Sequence, residues 1–122
     1  MSKFILRAVS TGYKFDLTAA NGQVILSSEV YITRAAAIKG IASVQLCAPI
    51  ANVENQTEEG FQPRMHPKFE MYQDKAGQFR FRLKARNGEI IATSEAYTTK
   101  AACENGIASV RKNAPDAPVV EE

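Results

Sequence analysis

The stretch that decides the fold is Phe79-Arg80-Phe81-Arg82-Leu83-Lys84-Ala85-Arg86-Asn87-Gly88-Glu89-Ile90-Ile91-Ala92-Thr93-Ser94-Glu95-Ala96. Apolar and polar residues alternate without a break from Phe79 to Arg86, the period of a strand with one buried face. Asn87-Gly88 is a two-residue hairpin signal, and a type I′ turn places both residues at positive φ. The chain then returns antiparallel. This turn predicts a register. On one side Arg86 faces Glu89, Lys84 faces Ile91, Arg82 faces Thr93 and Arg80 faces Glu95. On the other, Ala85 meets Ile90, Leu83 meets Ala92, Phe81 meets Ser94 and Phe79 meets Ala96.

The same hairpin occurs twice, because the chain is an internal duplication. A shift of 66 residues lays Tyr13–Pro49 on Phe79–Pro115, with about half the positions identical. Asn21-Gly22 falls on Asn87-Gly88, Ser28-Glu29-x-Tyr31-x-Thr33 on Ser94-Glu95-x-Tyr97-x-Thr99, and Gly40-Ile41-Ala42-Ser43-Val44 on Gly106-Ile107-Ala108-Ser109-Val110. Upstream, Lys3-Phe4 matches Lys68-Phe69 at a shift of 65, which places a one-residue insertion near Gln78. Repeat one spans 3–54 and repeat two 68–120, joined by a polar, Pro-rich linker at 55–67; the whole chain, 1–122, reads as a single domain.

Each repeat reads as three strands, a helix and a short extended tail. Lys68-Phe69-Glu70-Met71-Tyr72 alternates as a strand, and Asp74-Lys75-Ala76-Gly77 is a turn. Repeat one pairs Leu17 with Leu26 and Ala19 with Val24 inside, and Lys14 with Glu29 outside, so a basic–acidic pair recurs as Lys14–Glu29 and Arg80–Glu95. Thr33 and Thr99 are N-caps, whose hydroxyls accept an unpaired N–H of the first turn. Ala37, Ile41, Val44 and Ala48, like Cys103, Ile107, Val110 and Ala114, step by four, three and four along one helix face. Pro49 and Pro115 end the helices. Gly40 and Gly106 stand mid-helix at a cost of about 1 kcal/mol each, which predicts a close backbone approach there. One repeat alone has a single apolar sheet face and one helix to cover it; two copies sharing a core about a pseudo-two-fold axis solve that shortage. The fold class is α+β.

Composition excludes several functional classes. The 122 residues are 45% hydrophobic and 23% charged, with a net charge of +2, the balance of a soluble globular protein. No apolar run approaches the roughly 20 residues of a membrane span, and the stretch after Met1 is too short for a signal peptide, so a cytoplasmic protein with no membrane partner is expected. Cys47 and Cys103 form no C-x-x-C pair, and His66, the only histidine, stands in the linker run Pro63-Arg64-Met65-His66-Pro67. No metal site and no cofactor are expected from that set.

The second repeat resembles the YegP-like family of small bacterial proteins. The resemblance runs through Lys68-Phe69-Glu70, Ala76 to Ala85, Asn87 to Ser94, Tyr97, Lys100-Ala101, Asn105-Gly106-Ile107 and Ser109-Val110. Repeat one is similar but departs at Asp16, Thr18 and Ala20, where the family strand is basic or polar, and at Ala37-Ile38-Lys39 before the glycine. The resemblance implies tandem β-β-β-α-β units forming one antiparallel sheet packed with two helices, with the C-terminal strands exchanged between repeats. Ala51–Val53 and Val119–Val120 are then the swapped strands. It implies no activity.

Three features invite a functional reading. Arg80, Arg82, Lys84 and Arg86 alternate onto one sheet face, which Tyr72 shares. An aromatic among cations stacks a base, which points to weak binding of nucleic acid or another anionic ligand; the competing reading is a solvated sheet face neutralised by Glu70, Glu89 and Glu95. The charge split supports the stripe slightly: residues 61–122 carry ten basic and eight acidic residues, residues 1–60 five of each. The duplicated polar corner, Ser28, Glu29 and Tyr31 with Ser94, Glu95 and Tyr97, is either a catalytic cluster or a structural strand-to-helix corner; no placed histidine or lysine supplies a base. Asn105-Gly106 and Lys39-Gly40 either border a ligand pocket or mark close packing. No nucleophile–base pair or phosphate loop is present, so the chain reads as a monomeric, non-enzymatic binding or protein-interaction module. Its occupant is expected to be a protein partner or an anionic ligand.

Overall fold

The computed structural model describes residues 1–122. In chain order the elements are β1 (Lys3–Val9), β2 (Gly12–Thr18), β3 (Val24–Ser28), α1 (Arg34–Cys47), β4 (Asn52–Asn55), β5 (Lys68–Gln73), β6 (Phe79–Lys84), β7 (Ile90–Thr93), α2 (Lys100–Asn113) and β8 (Val119–Glu121), with a 3-10 turn at Ala114–Asp116. All eight strands form one sheet in the order β4-β5-β6-β7-β3-β2-β1-β8. The order reads the same from either end when the repeats are exchanged. The pseudo-two-fold axis therefore passes between β3 and β7, where Ser27 pairs with Thr93 and Ser28 with Ala92.

The C-terminal strands are exchanged. β4 of the first repeat pairs with β5 of the second, and β8 of the second pairs with β1 of the first. Both added strands run parallel to their neighbours, so the sheet is mixed rather than wholly antiparallel: each arrives after a helix that carries the chain back along the sheet. One cluster of 23 buried hydrophobic residues spans both repeats. α1 packs on β1, β2 and β7, and α2 on β6 and β3, so each helix also covers a strand of the other repeat. Arg111 of α2 donates to the Ala48 and Pro49 carbonyls at the end of α1 (3.3 and 3.4 Å), where a cation also meets the negative end of the helix dipole.

The hairpin turns differ from the type I′ expectation. Within the two Asn-Gly turns only Gly22 and Gly88 have positive φ (84°), and no non-glycine residue of the chain does. The Gly88 N–H donates to the Ala85 carbonyl (2.9 Å) and the Ala85 N–H to the Glu89 carbonyl (2.9 Å). Asn87 Oδ1 accepts from the Glu89 N–H (3.0 Å). This is a type I turn closed by a glycine in the left-handed region, which adds a bulge. Arg82 and Leu83 keep the expected partners, Thr93 and Ala92, but Lys84 pairs with Ile90 rather than Ile91. As a result Ile91 is 4% exposed and belongs to the core, while Ile90 is 39% exposed. Repeat one repeats the shift, with Leu17 opposite Leu26 and Thr18 opposite Val24.

The helices follow the sequence pattern. Thr33 and Thr99 accept from the Ala36 and Ala102 N–H groups (both 3.1 Å). Ala37, Ile41, Val44, Ala48, Cys103, Ile107, Val110 and Ala114 are all buried. The mid-helix glycines answer to a tyrosine. Tyr97 stacks on Phe81 (centroids 6.3 Å, 14°), which meets Phe69 edge-on, and Tyr31 does the same on Phe15 with Phe4. A Cβ at Gly106 lies 2.8 Å from Tyr97 Cζ and 3.0 Å from the Phe81 ring; at Gly40 the distances are 2.7 and 3.0 Å to Tyr31 and Phe15. The rings are held by their stacking, so they do not swing away from such a Cβ.

Gly106→Ala should therefore lower stability by about 1–3 kcal/mol through overpacking, despite the better helix propensity of alanine. Combining it with Tyr97→Phe, which removes the nearest atom, should recover part of the loss. Urea midpoints of the two singles and the double check this; a stabilised Gly106→Ala overturns the contact argument.

Candidate functional site

The polar corner forms twice. Ser94 Oγ accepts from the Phe81 N–H (2.9 Å) and donates to the Glu95 carbonyl (2.8 Å). Ser28 does the same with Phe15 and Glu29 (2.9 and 2.7 Å). Each serine replaces a ladder bond where the strand turns away toward the helix. Tyr97 and Tyr31 continue the corner with paired backbone bonds to Phe79 and Tyr13. Burial, then the Glu29 and Glu89 charges, pushes the Tyr31 phenol above its ordinary range; burial, then Cys103 and Glu95, does so for Tyr97. Glu29 and Glu95 point to solvent without an ion pair, and the cross-strand pairs Lys14–Glu29 and Arg80–Glu95 do not form. Arg80 turns instead to Asp74 (2.9 Å), which the preceding turn places closer along the strand.

The basic stripe is brought together only in part. Tyr72, Arg80, Arg82 and Lys84 lie on neighbouring positions of β5 and β6. Arg86 is separated from them, because β6 ends at Lys84 and residues 85–88 form the turn. The three strand cations are already answered. Glu70, 3% exposed, takes Arg82 (2.6 Å), Lys84 (3.2 Å) and Lys68 (3.2 Å). Glu54, 2% exposed on the exchanged strand, takes Lys68 (2.7 Å), Gln56 (2.6 Å) and the Arg64 N–H (2.7 Å). The Arg82 guanidinium lies 4.5 Å over the Tyr72 ring, on a face a base would need. Burial pushes the Glu54 carboxyl up, but the hydrogen bonds from Lys68, Gln56 and Arg64 outweigh it and hold it down at about 2. Burial likewise opposes, and the bonds from Arg82, Lys68 and Lys84 overcome, to keep Glu70 below the carboxylate range. Sequence reading missed Glu54 and Lys68 as members of this network, because their meeting depends on the strand exchange. Repeat one answers the same problem with reversed charge: Asp16 sits where repeat two has Arg82, ion-paired to Arg7 and bonded by Ser27 (2.6 Å).

One groove lies between each helix and the Asn-Gly hairpin of the other repeat. Between α2 and the β2–β3 turn a cavity of about 400 Å³ is lined mainly by small and polar residues, among them Ala19, Asn21, Asn105, Ser109 and Lys112. The matching space between α1 and the β6–β7 turn is larger and differs in chemistry. One cavity there, about 550 Å³, is bordered by Leu46, Cys47, Ile50 and Arg86. A second, about 510 Å³, is bordered by Glu29, Tyr31, Lys39, Glu89 and Ile90. Both are also lined by Ser43, Ala85 and Asn87, so they form one continuous groove. Lys39, Gly40 and Asn105 thus border these grooves, and both glycines also pack on tyrosines. The signal for the larger groove was present in the repeat alignment: Leu46 and Ile50 stand where repeat two has Lys112 and Asp116.

Comparison with known proteins matches this geometry to a family. The profile described as "Domain of unknown function (DUF1508)" matches residues 8–55 and again 74–121. A UPF0339 protein of Bordetella pertussis is 40% identical over 119 residues, covering 98% of this chain and 94% of that protein. A UPF0339 protein of Treponema denticola is 68% identical over 57 residues, which are 47% of this chain and 98% of that protein, so it has the length of one repeat. The solution NMR structure of yegP from E. coli, a protein of unknown function, superposes with a TM-score of 0.80 at 36% identity, covering 99% of this chain and 92% of that one.

The network predicts acid sensitivity of a definite sign. Glu54 and Glu70 bind protons more weakly folded than unfolded, so the stability they contribute is complete above about pH 4.5 and is lost as pH falls below it, for Glu54 toward about 2. Glu54→Gln should cost about 3 kcal/mol at pH 7, since it leaves Lys68 with one partner, and should flatten the fall between pH 4.5 and 2. Denaturation midpoints measured across that range decide; an unchanged pH profile in the variant counts against the network.

Proposed function

Because the chain belongs to the DUF1508 family of proteins of unknown function, also described as UPF0339, we propose that it is a non-enzymatic binding module that docks a protein partner on the outward side of α1. One observation carries this reading. Ile38, Leu46 and Ile50 are 38%, 74% and 57% exposed, and the corresponding residues of repeat two are Glu104, Lys112 and Asp116. The same fold holds charged residues at those positions in one copy, so folding does not require apolar ones in the other. Ile32, also exposed ahead of α1, corresponds to the polar Thr98. A contiguous exposed apolar patch is the mark of a docking surface.

The polar corners support the non-enzymatic part of this reading, since both serine hydroxyls are committed to backbone groups and both tyrosine rings are packed against glycines. The basic sheet face is the weaker candidate for an anionic ligand, since Glu54, Glu70 and Asp74 already answer its cations. The exchanged strands find their partners within one chain, which favours a monomer. No helix is long and apolar enough to cross a membrane. Cys47 and Cys103, free and buried, suit a reducing compartment, so the proposed location is the cytoplasm.

Grafting the repeat-two residues, as Ile38→Glu, Leu46→Lys and Ile50→Asp together, should leave stability within about 1 kcal/mol, as exposed positions do. The triple variant should lose proteins captured by the wild-type chain, and a captured protein made recombinantly should bind the wild type at least tenfold tighter. Identical captured sets for the two forms overturn the proposal.

A further inference from the structure

The groove beside α1 has a charge polarity that specifies its occupant. At one end Leu46, Cys47 and Ile50 surround apolar space whose single charged neighbour is Arg86. Arg86 is exposed and, unlike Arg80 and Arg82, makes no salt bridge. At the other end Glu29 and Glu89 face Lys39, and none of the three is ion-paired. The groove follows α1 from Ala36 to its end at Cys47, about 17 Å at the helical rise of 1.5 Å per residue, and reaches Ile50 just beyond. That length fits five or six residues of extended chain at about 3.3 Å each.

We propose that this groove holds an extended peptide segment of the partner, with a carboxylate beside aliphatic side chains at the Arg86 end and a basic side chain at the Glu29 and Glu89 end. The assignment rests on the docking reading above and adds composition and direction to it. Arg86 stands beside Leu46, Cys47 and Ile50 without a carboxylate of its own, so an entering carboxylate meets an unanswered charge there. The opposite groove lacks this design: Ala20 replaces Arg86, Lys112 replaces Leu46 and Asn113 replaces Cys47. One of the two related grooves is therefore expected to bind, and the other not.

The test uses the full chain, isotope-labelled, titrated with two synthetic peptides of equal apolar content, Ac-ELLSSKK-NH2 and its charge-reversed counterpart Ac-KLLSSEE-NH2. The first should bind at least tenfold tighter, moving amide signals of Ser43, Leu46, Ile50, Arg86 and Asn87 and leaving Asn105 and Ser109 unmoved. Arg86→Gln should cut the preference severalfold and Arg86→Glu should cut it further, both with the spectrum otherwise native, while Glu29 and Glu89 keep the remainder. Equal affinity for the two peptides in the wild-type chain, or no shifts along the groove at millimolar peptide, overturns the polarity. Neither result touches the capture comparison with the grafted triple variant, so failure of this assignment is separable from failure of the docking surface.

Discussion

The exchange of the C-terminal strands is the constraint on which the rest of the molecule depends. Without it each repeat is a three-stranded sheet with one helix, and its outer strand presents an open edge. With it, β8 covers β1 and β4 covers β5, and the chain must pass from one half to the other after each helix. Each helix is thereby drawn over a strand of the opposite repeat, and the two apolar faces fuse into one core. The buried charges follow from the same exchange. Glu54 reaches Lys68 only because the strand that carries it belongs beside β5, and that pairing is what makes a buried lysine and two buried glutamates tolerable.

Duplication separates what the fold needs from what it permits. Phe15 and Phe81, Tyr31 and Tyr97, Gly40 and Gly106, and Ser28 and Ser94 are the same in both copies, and each pair makes the same contacts. These residues form one stack from sheet to helix: phenylalanine, tyrosine, glycine. The outer sheet face is different. There the copies balance charge with opposite signs, Asp16 against Arg7 in one and Glu70 against three cations in the other. Any arrangement that satisfies its own charges suffices on that face, which is why the stripe of Arg80, Arg82 and Lys84 is a poor guide to a ligand.

The helix faces and the caps were legible because they rest on local rules of period and capping. The strand exchange was legible only through the family resemblance, since parallel pairing across a long chain separation leaves no local mark. The turn was misread for a physical reason. Asn-Gly suits both a type I′ turn and a type I turn with a glycine bulge, and only the backbone decides between them. That one choice moved Ile91 into the core, put Ile90 toward solvent and took Arg86 out of the stripe. The charge network escaped because Glu54 lies in a tail whose neighbours are set by the exchange.

The candidate site was half visible for the same reason. A groove between a helix and the other repeat's hairpin cannot be read from either repeat alone. The departures of Leu46 and Ile50 from Lys112 and Asp116 can be, and they weigh more than any single motif in the chain. A motif such as the serine–glutamate–tyrosine corner occurs in both copies and makes the same backbone bonds in both, so its presence is accounted for by folding. A residue that differs between two copies of one fold, is exposed, and is apolar where its counterpart is charged has no such account. The internal copy thus serves as a control within the same molecule, and the asymmetry of α1 against α2 is what carries the proposed docking surface.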